Sequence, residues 1–264
     1  TDSLLDPAKR AAVGQLGDFA ITTNMVQWAA LAIGVYCVGS WVQTIRLRDP
    51  ASYALMANPG FIGLTIAGGL MSYISYGLSP FLFLYAKQQF GVGAESGFTL
   101  GLITAIGGGL GATFGGIFGD WLRRHHAGGR MIVMLIAAIG SAVTIYASYA
   151  VTSLNAFYAF AAINIFIHIM WLGPCAATVQ DLVLPRMRGT ATAVFFLGTT
   201  ILGLGLGPYL TGLVSDVTGD LRIALMSTMI VVPLILVAIV TALRTVPNLE
   251  KNLLDRARAA GEPV

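Results

Sequence analysis

Seven long stretches of the chain are apolar and almost free of charge, at residues 21–45, 61–86, 98–119, 131–151, 155–180, 190–214 and 221–243. As a helix, each is long enough to cross roughly 30 Å of hydrocarbon. Short polar segments separate them. The pattern predicts an all-α membrane protein in which the six later runs form one helical unit over 61–243 and the first run forms a further hydrophobic helix over 21–48. Residues 1–20 read as a polar loop or tail, 49–60 as a linker with a short amphipathic segment, and 244–264 as a solvated amphipathic tail carrying Glu250, Lys251, Asp255, Arg256 and Arg258. The first run is the least apolar, with Thr22, Thr23, Asn24, Gln27 and Gln43. Its composition suits either a membrane span or a helix lying on the surface.

Only 10% of the 264 residues are charged and 56% are hydrophobic. A soluble domain carries about 25% charged residues. The net charge of +3 is too small to point to a nucleic-acid partner. The basic residues serve better as topology markers. If the runs alternate across a bilayer, Arg46, Arg48, Arg123, Arg124, Arg130, Arg186, Arg188, Arg244, Lys251, Arg256 and Arg258 fall on one side, and Lys9, Arg10, Lys87 and Arg222 on the other. The positive-inside bias makes the first side, with the C-terminus, cytoplasmic. If the first run lies on the surface, Lys9 and Arg10 join that side. Cys37 and Cys175 both sit in apolar runs and are expected as buried thiols, not as a disulfide or a metal site. The sequence begins at Thr1 with no signal pattern, so an upstream part is expected.

The candidate chemistry lies where polar groups recur inside apolar helices. Asn164, His168 and Trp171 are spaced i, i+4 and i+7 and share one helix face, which Cys175 and Thr178 extend. Gly173-Pro174 then interrupts the helix, because proline has no N–H to donate. In the second run Ser72, Tyr76, Ser79 and Phe83 share a face with Tyr73 beside it, and Gly77 and Pro80 interrupt that helix. Polar faces within hydrocarbon are costly unless they meet protein or a water-filled cavity. The two breaks fall at corresponding places in the leading helices of two three-helix sets. Paired breaks of this kind point to inverted repeats with a binding site between them. The substrate-binding candidates are therefore Ser72, Tyr73, Tyr76, Ser79, Asn164, His168 and Trp171. His168, with an ordinary pKa of about 6.5, is also the proton-coupling candidate.

Gly108, Gly111, Gly115 and Gly119 strip one helix face bare, as do Gly203, Gly205 and Gly207 before Pro208. Such faces let helices approach closely. Asp120 sits beside a short basic loop, and the loop after the fifth long run supplies Asp181, Arg186 and Arg188. A charge network of Asp120, Arg123, Arg130, Asp181, Arg186 and Arg188 is expected to hold one conformation and to break in another.

The glycine-rich helix entering GDWLRRHHAGGR resembles the repeated loop motif of major facilitator transporters. Gly116 and Asp120 match its start, and Arg123, Arg124 and Arg130 match its basic part loosely. Leu122, His125 and His126 depart from the tight form. The Pro185-Arg186-Met187-Arg188 loop, the Gly-Leu-Gly-Leu-Gly-Pro run, and Ser215-Asp216 before Asp220-Leu221-Arg222 resemble the C-terminal half of the spinster-like branch. The resemblance covers about residues 50–245. It implies one six-helix half, built of two inverted three-helix repeats, of a twelve-helix transporter. The first run would then be the last helix of a missing N-terminal half, and residues 1–20 an external loop. Members of this branch are linked to export of lysolipids, sphingoid phosphates or other amphipathic organic molecules.

The expected function is secondary transport of a small amphipathic molecule across a bacterial inner membrane or plasma membrane. The expected partners are the lipid bilayer, that substrate and the missing half. A drug or organic-ion exporter and a non-transporting scaffold are the alternatives. A retinal protein needs a lysine in a late helix, and the last three runs contain none. No H-E-x-x-H, G-x-S-x-G or paired intramembrane carboxylates suggest an enzyme. No cofactor or metal is expected, since His125-His126 lacks a ligand set.

Overall fold

The computed structural model describes residues 12–16 and 19–263. The expected polar residues Asp2, Asp6, Lys9, Arg10 and Asp18 lie outside them. In place of a simple loop before the first helix, β1 (Ala12–Leu16) pairs antiparallel with β2 (Phe19–Thr22). Apart from this hairpin, the regular structure of the described residues is helical.

Helix α1 (Thr23–Arg48) runs from the hairpin, and Asp49 then caps α2 (Pro50–Met56) by accepting the Ser52 amide at 3.1 Å. Pro50 at the first helical position lacks only an N–H that would be unpaired there. The device repeats at once. Asn58 accepts the Phe61 amide at 2.9 Å and Pro59 opens α3 (Pro59–Leu78). A 3₁₀ turn at Ser79–Phe81 leads into α4 (Leu82–Phe90), which Gly91 ends in the left-handed region at φ +65°. Then follow α5 (Glu95–His125), α6 (Gly129–Ala150), α7 (Leu154–Ile169) and α8 (Leu172–Asp181). After the turn at Pro185–Met187 come α9 (Arg188–Thr200), a π-helical turn at Ile201–Gly205, and α10 (Gly207–Thr218). Helix α11 (Leu221–Ser227), capped by Asp220, passes through a 3₁₀ turn into α12 (Val232–Lys251), and α13 (Leu253–Ala259) closes the fold.

Among the described residues, six helical units are long and apolar enough to cross a membrane: 59–90, 95–125, 129–150, 154–181, 185–218 and 221–251. They overlap the six later apolar runs, starting within five residues of them and ending up to eight residues beyond. Helix α1 is not among them. Most of its described side chains project away from the bundle, with Trp28, Ile33 and Tyr36 largely exposed, and among them Ile45 near its end is buried. Cys37, expected to be buried, is exposed for the same reason. Cys175 is buried, 3.6 Å from the Leu64 carbonyl.

The tail is an amphipathic helix with Lys251, Asp255 and Arg258 exposed, but one of its faces is packed. Helix α12 continues through Val246, which is fully buried, and α13 folds back against α2. Ala257 is buried, and the Arg256 guanidinium donates to the Leu55 carbonyl at 2.8 Å and the Leu249 carbonyl at 3.2 Å. Both carbonyls lie near helix ends, and that of Leu55 also accepts from Asn58 Nδ2 at 2.5 Å.

The α7–α8 break sits at Met170-Trp171, one turn before Pro174. A proline cannot donate to the carbonyl four residues back and its ring crowds that carbonyl. Here that residue is Met170. The loosened backbone lies on the bare face of α5. A Cβ added at Gly111 would stand 2.3 Å from the Phe166 carbonyl oxygen, and one at Gly115 2.2 Å from that of Met170. At Gly119 it would meet the Pro174 ring at 2.9 Å. Gly108, assigned by sequence to the same face, has open space instead. The second glycine run packs on α3: Gly203 against Ser72, and Gly207 against the Tyr73 carbonyl and the Gly77 amide.

Gly115→Ala is expected to lower stability by about 1–3 kcal/mol, because a backbone carbonyl must move to admit the methyl. Gly109→Ala, where nothing lies within 4 Å, is expected to be neutral or stabilising by up to about 1 kcal/mol through helix propensity. Thermal unfolding of both variants in the same detergent checks the contrast.

Candidate functional site

The two interrupted units, α3–α4 and α7–α8, border a common cavity of about 430 Å³, within the usual ligand-pocket range of about 300–1,000 Å³. Helices α5, α6 and α9 complete the wall. From α3 and the 3₁₀ turn after it the cavity receives Ser72, Ser75, Tyr76 and Ser79, spaced i, i+3, i+4 and i+7. From α7 and the break it receives Asn164, His168 and Trp171. The structure thus brings six of the seven sequence-predicted binding residues to one space. Tyr73 is the exception. It lies about 100° around the helix from Ser72 and is buried among helices. Ser75 takes the place assigned to it. Phe83 lies beside Gly97 instead, and Cys175 and Thr178 are buried outside the cavity.

His168 is 4% exposed. Its Nε2 is 2.7 Å from the Ser75 hydroxyl and 3.2 Å from the Met71 carbonyl, so one ring ties α7 to α3. Asn164 donates from Nδ2 to the Thr144 hydroxyl at 2.9 Å and to the Ser141 carbonyl at 3.2 Å, tying α7 to α6. Two buried wall atoms have no protein partner, His168 Nδ1 and Trp171 Nε1.

Sequence reasoning missed Thr104 on α5, Ser148 and Tyr149 on α6, and Thr199 and Thr200 on α9. A signal was present on α6, where Ser141, Thr144 and Ser148 recur at helical spacing. The hydroxyls of Thr104, Ser148 and Thr199 donate to carbonyls of their own helices. Tyr149 meets Tyr85 edge to face and belongs with it and Phe157 to an aromatic cluster at one end of the cavity's α6 wall.

A second constellation gathers at the basic end of the bundle. Arg130 holds Asp120 at 2.7 Å and Asp181 at 2.6 Å. Arg123 pairs with Asp181 and reaches Glu250 at 3.0 Å, and Arg188 lies 3.7 Å from Asp181. The ends of α5, α6, α8, α9 and α12 meet there. The expected network is present except for Arg186, which belongs to a separate cluster with Glu262 and, at 3.5 Å, Asp49. Glu250, Glu262 and Asp49 were missed because the tail and linker read as solvated. Burial pushes the Asp49 carboxyl up, but its bonds to Ser52 and the nearby Arg186 charge outweigh this and leave it below the ordinary carboxylate range.

No family model matches this chain. It is 28% identical over 170 residues to an MFS-type efflux pump of Mycolicibacterium smegmatis, a match spanning 63% of this chain and 39% of that protein. Its fold is similar to that of a bacterial homologue of the human lysosomal transporter Spinster, solved inward-facing in two forms. For the unoccupied form the TM-score is 0.56 at 18% identity, over 78% of this chain and 50% of that one. For the occupied form it is 0.51 at 19% identity, over 78% and 49%. The chain therefore spans about half the length of the solved relative and less of the efflux pump. Its six apolar helical units mark an integral membrane protein, and their fold is similar to half of the solved Spinster homologue, a half-fold of the major facilitator type.

Proposed function

We propose that the chain supplies one half of a secondary transporter that moves a small amphipathic organic molecule, of lysolipid or sphingoid-phosphate type, by alternating access. The observation that carries this reading is the shared cavity: both helices with interrupted backbones border it, and Tyr76 and His168 look onto the same space. Discontinuous helices around a central site are how transporters of inverted-repeat architecture hold substrate. The substrate-contacting residues in this reading are Ser72, Tyr76, Ser79, Asn164, His168 and Trp171, with Tyr73 supporting them from behind. Its other partners are the bilayer and an N-terminal six-helix half ending in α1. The basic end faces the cytoplasm, in keeping with the positive-inside rule. There the Asp120, Arg123, Arg130, Asp181 and Arg188 cluster is the lock of one conformation. The efflux-pump relative supports a second reading, export of a drug or organic ion.

His168 bridges two helices through Nε2. As the proton-coupling group, it would gain or lose its proton as the two helices part. Uptake into proteoliposomes of the two-half transporter tests both readings, with lysolipid and a cationic drug compared at about pH 6 and about pH 8. His168→Ala is expected to leave transport independent of pH over that interval. A retained pH dependence removes His168 from the coupling role.

Asp120→Asn is expected to slow turnover roughly two- to fivefold, as fits an exposed ion pair of about 0.5–1 kcal/mol, with substrate affinity unchanged. Asp181→Asn is expected to slow it further, since that carboxylate faces three arginines. Rates and half-saturation concentrations measured in parallel check the split, and an effect confined to affinity would count against the lock.

A further inference from the structure

We propose that a groove between α1, α2, α3 and α9 at the basic end holds one acyl chain of an anionic phospholipid, with Arg46 and Arg48 on its phosphate. The site is separate from the central cavity, and it stands whether or not that cavity takes a substrate. Three observations carry the inference.

The first is the groove itself. It measures about 240 Å³ and is lined chiefly by Val42 and Ile45 near the end of α1, Tyr53 of α2, Ile62 and Ile66 in the first turns of α3, and Val194 of α9. No charged or amide side chain lines it, and the Thr65 hydroxyl in its wall donates to the Phe61 carbonyl at 2.9 Å. Val42, Ile62 and Ile66 are each at least a third exposed. An open apolar surface with a polar rim is the form of a membrane-interaction site. Such a wall pairs no polar solute, whereas a methylene chain fills it with van der Waals contacts.

The second is the charge at its mouth. Ile45 lines the groove, and Arg46 and Arg48 follow it in the last turn of α1. The Arg46 guanidinium carbon stands 5.9 Å from the centre of the Tyr53 ring, so this cation lies over a wall of the groove. Arg48 is three residues on from Ile45, a neighbour on the helix surface. Both arginines are exposed, and among the described residues no carboxylate pairs with either. The charges around them are engaged elsewhere. Arg186 pairs with Glu262 and Asp49, Arg188 with Asp181, and Asp49 also accepts from the Ser52 amide and hydroxyl. Two unpaired guanidinium forks are suited to phosphate oxygens.

The third is depth. The groove runs along the first two turns of α3, where a membrane span begins. Asp49, next to Arg48, pairs with Arg186, which places the mouth of the groove at the basic end of the bundle. Cations at the interface with an apolar channel directly below them match a phospholipid, head over chain. The other occupants fit less well. The groove is too small to seat a partner helix of about 10 Å diameter, and a free phosphate ion would leave the apolar walls unfilled.

The test offers delipidated protein in detergent equal amounts of palmitoyl-oleoyl phosphatidylglycerol and the phosphatidylcholine of the same chains. Retained lipid is counted by native mass spectrometry. We expect phosphatidylglycerol to be retained about tenfold more often, the scale set by two interfacial arginines. Arg46→Gln together with Arg48→Gln should bring the ratio close to one. Arg124 and Arg244 are also exposed at the basic end, and Arg124→Gln with Arg244→Gln should leave the ratio unchanged. Ile66→Trp, which fills the groove, should release the lipid with both arginines in place. Equal retention of the two lipids overturns the inference, as does retention by a folded Ile66→Trp variant. An equal loss from the two arginine pairs overturns it too, since the attraction would then be diffuse. Displacement of the lipid by glycerol phosphate at the same concentration overturns it by showing an anion site without a chain. The same count on the two-half transporter is expected to agree. Loss of the lipid there overturns the inference by showing that the second half covers the groove. All four arginines are exposed, so the comparison between the pairs stands if Ile66→Trp fails to fold.

Discussion

The bundle depends on one backbone-to-backbone contact, the seat of the broken α7–α8 helix on the glycines of α5. Pro174 cannot donate to the Met170 carbonyl, so the backbone opens there. Gly115 gives that oxygen room by carrying no side chain where it lies. Gly111 does the same for Phe166 one turn earlier, and Gly119 for the proline ring one turn later. A kinked helix and a bare helix are thus a matched pair, since either would be destabilising without the other. His168 lies just before the break and Trp171 within it, and both border the cavity.

Charge is divided as sharply as packing. Ionised groups collect at the basic end, where three arginines face three carboxylates of the main cluster. The cavity keeps only neutral polar groups. The division follows from the medium. Ion pairs at a helix end can share water and backbone termini, whereas a lone charge at cavity depth has neither. Asp181 is the hub because it closes α8 where the ends of α5, α6 and α9 converge, so a single carboxylate reaches Arg123, Arg130 and Arg188. Arg186 lies two residues before Arg188, across a 3₁₀ turn, and points to the tail and linker instead.

Much of this was legible in the sequence, and its limits have physical causes. The six spans follow from apolar runs whose period and length allow little else. The two breaks that shape the cavity are written in Gly77, Pro80, Gly173 and Pro174, since proline acts on its own helix. Helical spacing sufficed to group Asn164, His168 and Trp171. What spacing could not give was the rotation of α3 within the bundle, and a turn of about 100° separates Tyr73 from Ser72. Tyr73 looked like the better ligand residue by chemistry, yet Ser75 faces His168. The tail misled for a different reason. Arg256 and Glu250 read as solvent markers, but each finds a partner that sequence distance hides, Leu55 and Arg123. Charge signals exposure only when no far-off segment returns to meet it.

The same helix that lines the cavity also carries the tightest packing on its other flank. Ser72 borders the ligand space, and its Cβ lies where a side chain at Gly203 would have to go. Gly203 is in the π-helical turn that follows Thr199 and Thr200, which border the cavity from the opposite wall. One further turn along, Gly207 touches the Tyr73 carbonyl, and Gly77 abuts the buried Thr211 hydroxyl. A π turn widens the helix locally and loosens its ladder, which makes it the compliant point of an otherwise rigid pair. Ser72 thus stands between the ligand space and the π-helical stretch of α9–α10. The contacts of the site and the freedom of the helices around it are properties of the same few residues.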